Sequence, residues 1–238
     1  EFRRRFRLGS ARLLDLLHPE HAPGVTLVTA PPGYGKTTLL AQHFAASREA
    51  GYATAWLTID DTMRDGRSYR NWLWLALGGS VDGPGGEGSL LGRRTMSDRE
   101  FLRAVLGRVE QFDAPFLLYL DDYHRADSDE VQALSEALIT HLAECAHVVL
   151  ATRSRPRLKL GKLTASGTVR EINAQHLAFT ENEARDFLGE RVSQDEVQKL
   201  VCRMEGWVAG IQLFRFMSEM EWSLQSNDSS QGECPIKI

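Results

Sequence analysis

The segment APPGYGKTTLL, Ala30 to Leu40, carries residue types at a spacing that holds phosphate. Glycines at 33 and 35 let backbone N–H groups turn inward around phosphate oxygens, and a helix opening there adds its partial positive charge. Lys36 would reach the β and γ phosphates of a bound ATP or ADP, and Thr37 would place its hydroxyl on Mg²⁺. Pro32, Tyr34 and Thr38 complete the contact set. The full P-loop pattern has glycine at its first position, where Ala30 stands. Alanine serves there if its φ stays negative, and Pro31 with Pro32 stiffens the loop entry. The bland alternative is a glycine-rich turn before a helix; a preceding strand together with the lysine and threonine argues against it.

A second element is FLLYLDDYH, Phe116 to His124, an apolar run that ends in two carboxylates. Asp121 is the expected Mg²⁺ partner of the Thr37 site, through water. Asp122 would polarise the attacking water as a general base. Alone, two aspartates after a strand more often make a turn; beside a P-loop, the functional reading takes precedence. The run Val148 to Ala151 continues into TRSRP and brings Thr152 and Arg153 to the same sheet edge. Arg153 is read either as a γ-phosphate sensor or as a surface arginine in a loop, and composition does not separate the two. His124 is read as structural rather than catalytic.

These residues need strands to end together. Apolar, β-branched runs bounded by turn residues predict strands at 25–29, 54–59, 116–120, 148–151 and 168–172. Helical spacing predicts helices at 36–50, 68–77, 98–112 and 129–143. Alternation of this kind implies an α/β P-loop NTPase with a mostly parallel, doubly wound sheet. From Thr180 the pattern changes, with helices expected at 180–189, 193–205 and 206–220 and no further strand. Thr180 and Glu183 form a capping box that marks the first of these starts. The expected division is a nucleotide-binding domain at 1–174, a small all-helical lid at 175–225 and a flexible tail at 226–238. The stretch 78–92, with seven glycines and one proline, reads as a surface loop. Tyr69, Trp72 and Trp74 read as core or interface residues.

The 238 residues carry a net charge of −4 with a pI near 6.0, which gives no global attraction for nucleic acid despite the local run Arg3 to Arg7. Cys145, Cys202 and Cys234 are widely spaced and fit neither a disulfide framework nor a metal site. No apolar run approaches the roughly 20 residues that span a bilayer, and no signal peptide opens the sequence. A cytoplasmic protein with no membrane contact is expected.

Taken in order, TAPPGYGKTTLLAQ, LLYLDDYHRA, VVLATRSRP, LAFTENEA and EGWVAGIQL resemble the blocks of large ATP-binding LuxR-type transcription activators, from about Arg12 to Leu213. The resemblance implies the N-terminal part of a signal-transduction ATPase with numerous domains (a STAND ATPase). In that family, nucleotide-binding, helical and winged-helix parts switch between a closed ADP form and an ATP form that self-associates through the full-length protein. Promoter DNA is bound only by a C-terminal helix-turn-helix domain outside this sequence. Position by position, Lys36, Thr37 and Thr38 resemble the phosphate and Mg²⁺ contacts, Asp121 and Asp122 the acidic pair, and Arg153 the phosphate sensor. Gly206 to Ile211, GWVAGI, resembles the glycine-rich helix start that closes over the nucleotide near its base, which implicates Gly206 and Val208. Related apoptosis and plant resistance proteins usually have a proline where Val208 stands. Arg12 resembles an arginine near the base; its alternative is a solvated charge on an amphipathic helix.

The expected function is therefore a nucleotide-gated switch with slow Mg²⁺-dependent ATPase activity, bound to adenine nucleotide. Two alternatives remain. A motor ATPase of AAA or helicase-like type calls for a basic groove or aromatic stacking residues, which the scattered arginines and the glycine-rich loop do not supply. A P-loop kinase for small molecules calls for a lid of arginines, whereas Arg185, Arg191 and Arg203 have the spacing of ordinary helix surfaces.

Overall fold

A computed structural model describes residues 11–17, 24–79, 96–126, 128–143 and 146–229. Most of the predicted loop at 78–92 lies outside these residues, as do Cys145, Cys234, the Arg3 to Arg7 run and the end of the tail. The element order is α1 (Ala11–Leu17), β1 (Val25–Thr29), α2 (Lys36–Glu49), β2 (Ala53–Thr58), α3 (Gly66–Ala76), α4 (Asp98–Val109), β3 (Phe116–Asp121), α5 (Asp129–Leu142), β4 (Ala146–Thr152), α6 (Gly161–Ala165), β5 (Val169–Asn173) and α7 (Ala174–Leu177). Three helices follow: α8 (Glu181–Leu188), α9 (Gln194–Met204) and α10 (Val208–Ser229). All five predicted strands are present. The tail expected from Ser226 begins inside a helix that runs to Ser229.

Every strand pairing is parallel, in the order β2-β3-β4-β1-β5. The carboxyl ends of β3, β4 and β1 are therefore neighbours on one sheet edge, where open α/β sheets bind ligands. Period-two alternation divides the strand residues between two faces. Val25, Leu27, Leu118, Leu120, Val148 and Leu150 join one core cluster with residues of α3, α4 and α5. The other face carries Thr26, Tyr119 and His147, with α2 packed against β3 and β4. Of the three aromatics on α3, Tyr69 is wholly buried and bonded to Ser135 at 2.9 Å, Trp74 packs partly buried on the core, and Trp72 is 47% exposed.

Three helices start with capping boxes. Ser97 with Glu100, Thr180 with Glu183, and Ser193 with Glu196 each satisfy orphan N–H groups of the first turn. The Thr180 box is the one expected from sequence. Two compact units result: residues 1–32 with 36–177, and residues 33–35 with 178–238.

His147 on β4 is buried and meets the Thr26 hydroxyl of β1 at 3.1 Å. Burial, assisted by the charge of Arg170, pushes its pKa down to about 4. The folded chain thus holds this ring neutral over a pH range in which the unfolded chain protonates it. Its contribution to stability is complete above the ordinary value of 6.5 and is lost as pH falls from there toward 4. Urea unfolding of the wild type should lose about 1.4 kcal/mol per pH unit across that window from this group. His147→Gln, which keeps a partner for Thr26, should lack that component; parallel curves would refute the assignment.

Candidate nucleotide-binding site

The phosphate-binding segment leaves β1 at Thr29 and enters α2 at Lys36. Ala30 is buried and, unlike Gly33 and Gly35, keeps a negative φ, which removes the steric reason for glycine at that position. Gly33 and Gly35 have φ of +83° and +78°, the conformation that calls for glycine. Lys36 is 8% exposed, and its ammonium donates to the Ala30 carbonyl at 2.6 Å and the Pro31 carbonyl at 3.0 Å. The lysine is folded back onto its own loop and held over it. Burial lowers its pKa, helped by the Arg153 charge and opposed by Asp122 and Asp121.

Asp121 ends β3 and is 2% exposed. Its carboxylate accepts from the Asp122 N–H at 2.9 Å and from the Thr37 hydroxyl. Burial raises its pKa, while these two hydrogen bonds and Lys36 hold it down. Asp122 follows in the left-handed conformation, with φ 52° and ψ 35°, which aspartate tolerates better than most residues other than glycine. Thr152 ends β4; its carbonyl accepts the Ala30 N–H at 3.2 Å and ties that end to the loop, and Arg153 follows it. The first unit thus brings Lys36, Thr37, Asp121, Asp122 and Arg153 into one electrostatic neighbourhood.

His124 belongs to this group more closely than sequence suggested. Its Nδ1 lies 3.7 Å from an Asp122 oxygen, is buried and has no hydrogen-bond partner among the described residues. Burial and then Arg153 push its pKa down, with Asp122 acting in the opposite sense. The DDxH spacing was visible, but nothing in it shows that the ring turns back beside Asp122.

A second feature lies behind the lysine. His43, two turns after Lys36 on α2, meets the Tyr119 hydroxyl at 2.7 Å, and Ser47 meets the same hydroxyl at 3.2 Å. Tyr119 stands two residues before Asp121, hence on the same sheet face. Its ring also stacks on Trp56 at 5.6 Å and meets Phe44 edge-on at 5.4 Å. The helix that carries Lys36 and Thr37 is therefore pinned to the strand that carries Asp121. The seven-residue step from Lys36 to His43 was readable in the sequence, and the tyrosine partner was not.

Arg12 is exposed on α1, whose Leu13 and Leu17 are buried. Pro32 is exposed, while Tyr34 and Thr38 are half-buried. In the second unit the Ala209 N–H donates to the Gly33 carbonyl at 2.9 Å, and a Cβ on Gly33 would lie 2.5 Å from the Trp207 indole nitrogen. Gly206, at φ +70°, is buried beside Phe179, whose N–H donates to the Gly206 carbonyl at 2.9 Å. The Val208 side chain is also buried, so what it offers is packing.

The donor set suits Mg²⁺. Thr37 and Asp121 supply hard oxygen ligands, and no group of three or more acidic, histidine or cysteine residues able to hold a metal occurs among the described residues.

Comparison with known proteins follows the same lines. The family described as "AAA ATPase domain" matches residues 10–151. The chain is 28% identical to the HTH-type transcriptional regulator MalT of Vibrio parahaemolyticus over 214 residues, covering 87% of this chain and 23% of the relative. It is also 28% identical to MalT of Yersinia pestis over 228 residues, covering 92% and 24%. The chain thus spans about a quarter of the length of these relatives, and the resemblance read from the sequence motifs holds. Among solved structures, a Cdc6p from Pyrobaculum aerophilum superposes with a TM-score of 0.53 at 15% identity, covering 83% of this chain and 56% of that one. The Drosophila ORC bound to DNA superposes at 0.50 and 14% identity, covering 87% and 52%. Both share the fold.

Proposed function

Because the chain belongs to the AAA ATPase domain family, we propose that it is the adenine-nucleotide switch of a longer LuxR-type transcription regulator. One observation carries the reading: Lys36, Thr37, Asp121, Asp122 and Arg153 share one edge of one parallel sheet and act on one another electrostatically. Lys36, released from the Ala30 and Pro31 carbonyls, binds the β and γ phosphates. Thr37 and Asp121 hold Mg²⁺, whose charge favours the ionised form of the buried Asp121. Asp122 accepts the proton of the attacking water, and His124 orients that carboxylate. Arg153 reads the γ-phosphate. ATP and ADP differ in that group alone, so contacts to it are what allow the nucleotide to bias one protein conformation over another.

In this reading the residues 206–211 report the nucleotide state to the rest of a longer polypeptide, self-association accompanies the ATP form, and promoter DNA is bound by a separate domain in a cytoplasmic protein. Hydrolysis is slow, since binding sets the state and turnover only resets it. Competition against a fluorescent ATP analogue tests the assignment. ATP and ADP should displace it at least about tenfold better than GTP and GDP, and protein purified without added nucleotide should retain ADP. Equal competition by guanine nucleotides would overturn the adenine assignment. Protein that comes off empty and turns over rapidly would favour a motor ATPase, the reading that the AAA match alone also supports.

A further inference from the structure

A cavity of about 360 Å³ lies in the first unit where the edge strand β5 meets β1. Its walls include Leu27, Leu158, Leu160 and Val169, and Arg155 and Glu171 lie at its margin, paired at 2.7 Å. The void has a sequence origin. Residues 155–160 alternate in exposure: Arg155, Arg157 and Lys159 are exposed, Pro156 and Leu158 are half-buried, and Leu160 is buried. This alternation gives the irregular strap an apolar underside, and a tight turn closes it where the Leu160 N–H donates to the Leu158 carbonyl at 2.9 Å. The short helix α6 that follows meets the cavity with Gly161 and Ala165, side chains too small to fill it.

The size and lining match small-molecule sites, which are mainly apolar with a few polar groups that fix orientation. The margin decides the ligand's charge. Arg155 is 74% exposed and carries a planar fork suited to a carboxylate, whereas the one acid lining the cavity, Glu171, is already engaged with it. Arg157 on the strap is paired with Asp129 at 3.5 Å and the Lys159 N–H donates to Glu136, which leaves the exposed ammonium groups of Lys159 and Lys162 beside Arg155 on the cationic side of this surface. We propose that this cavity binds a small amphiphilic carboxylate, its apolar body against Leu27, Leu158, Leu160 and Val169 and its carboxylate on Arg155. The site is independent of the nucleotide assignment.

The test is titration of the protein with 4-phenylbutyrate, followed by NMR and calorimetry, beside 4-phenylbutanol and 4-phenylbutylamine. The carboxylate should bind saturably with a dissociation constant of roughly 0.1–1 mM, about tenfold tighter than the alcohol or the amine, and should shift the methyl signals of Leu27 and Val169. Arg155→Met should weaken it about tenfold, and Glu171→Gln, which frees Arg155, should tighten it a few-fold. Both changes break the same exposed ion pair, so a merely structural effect would move them in the same direction. Absence of saturable binding, equal binding of the alcohol or amine, or an unaffected Arg155→Met variant would each overturn the proposal.

Discussion

Lys36→Ala is expected to abolish binding of ATP and ADP, raising the dissociation constant by at least about 100-fold. The size of the effect follows from position. Lys36 is the first residue of α2, and its ammonium is held over the loop by the Ala30 and Pro31 carbonyls at 2.6 and 3.0 Å. Burial and the Arg153 charge disfavour its charged form, only partly offset by Asp122 and Asp121, and bound phosphate adds countercharge. Removal of the ammonium also strips a donor from two carbonyls, so a stability cost accompanies the binding loss. Lys36→Arg separates the two effects. Arginine keeps the charge and hydrogen-bonding capacity but presents a planar fork where the loop has room for a compact ammonium. It should leave the melting temperature within about 3 °C of wild type and still weaken binding. Calorimetry with Mg²⁺-ATP reads both, and wild-type affinity in the alanine variant would remove the central claim.

Asp122→Asn is expected to keep nucleotide binding within about threefold and to lower the single-turnover hydrolysis rate by about 100-fold, the lower end of what a positioned base contributes. Asp122 has two attributes that Asp121 lacks. Its left-handed backbone turns it out of the strand direction, and its oxygen lies 3.7 Å from the buried Nδ1 of His124. Asparagine tolerates the same backbone conformation, so the substitution changes charge with little strain. Asp121→Asn should behave differently. Its carboxylate accepts the Thr37 hydroxyl and the Asp122 N–H, and its loss should reduce the Mg²⁺ dependence of binding rather than hydrolysis alone. An unchanged rate in Asp122→Asn would assign the water to another group, with His124 the first candidate.

Much of this site was legible because the chemistry is local. The loop from Ala30 to Thr38 needs only a strand before it, a helix after it and glycine where φ is positive, and each of those is a short-range property. The five strands were legible for a related reason. A parallel sheet covered on both faces makes continuous apolar runs, which stand out from amphipathic helices. The Thr180 capping box was legible too, since Thr180 and Glu183 satisfy one another within a single turn. Boundaries shifted by a few residues where flanking positions continue the ladder, as at Ala146 and His147, which extend β4 beyond its apolar centre. The short helices at 161–165 and 174–177 carried no periodic signal because each is too short to repeat.

By itself the sequence determined the phosphate-binding loop, the acidic strand end and the α/β class, because these follow from residue types within a few positions of one another. The tertiary structure decided what meets what across the chain. Strand order β2-β3-β4-β1-β5 makes neighbours of the ends that carry Ala30, Asp121 and Thr152, and no spacing along the chain specifies that order. It turned His124 back beside Asp122 and gave His43 and Ser47 a common partner in Tyr119. It also opened a cavity under residues 155–161, whose cations and leucines look in one dimension like a solvated charge run. The tyrosine contacts join residues more than 70 positions apart, and the turn of His124 toward Asp122 is local; in both cases packing with burial selects the arrangement where local propensity has no preference.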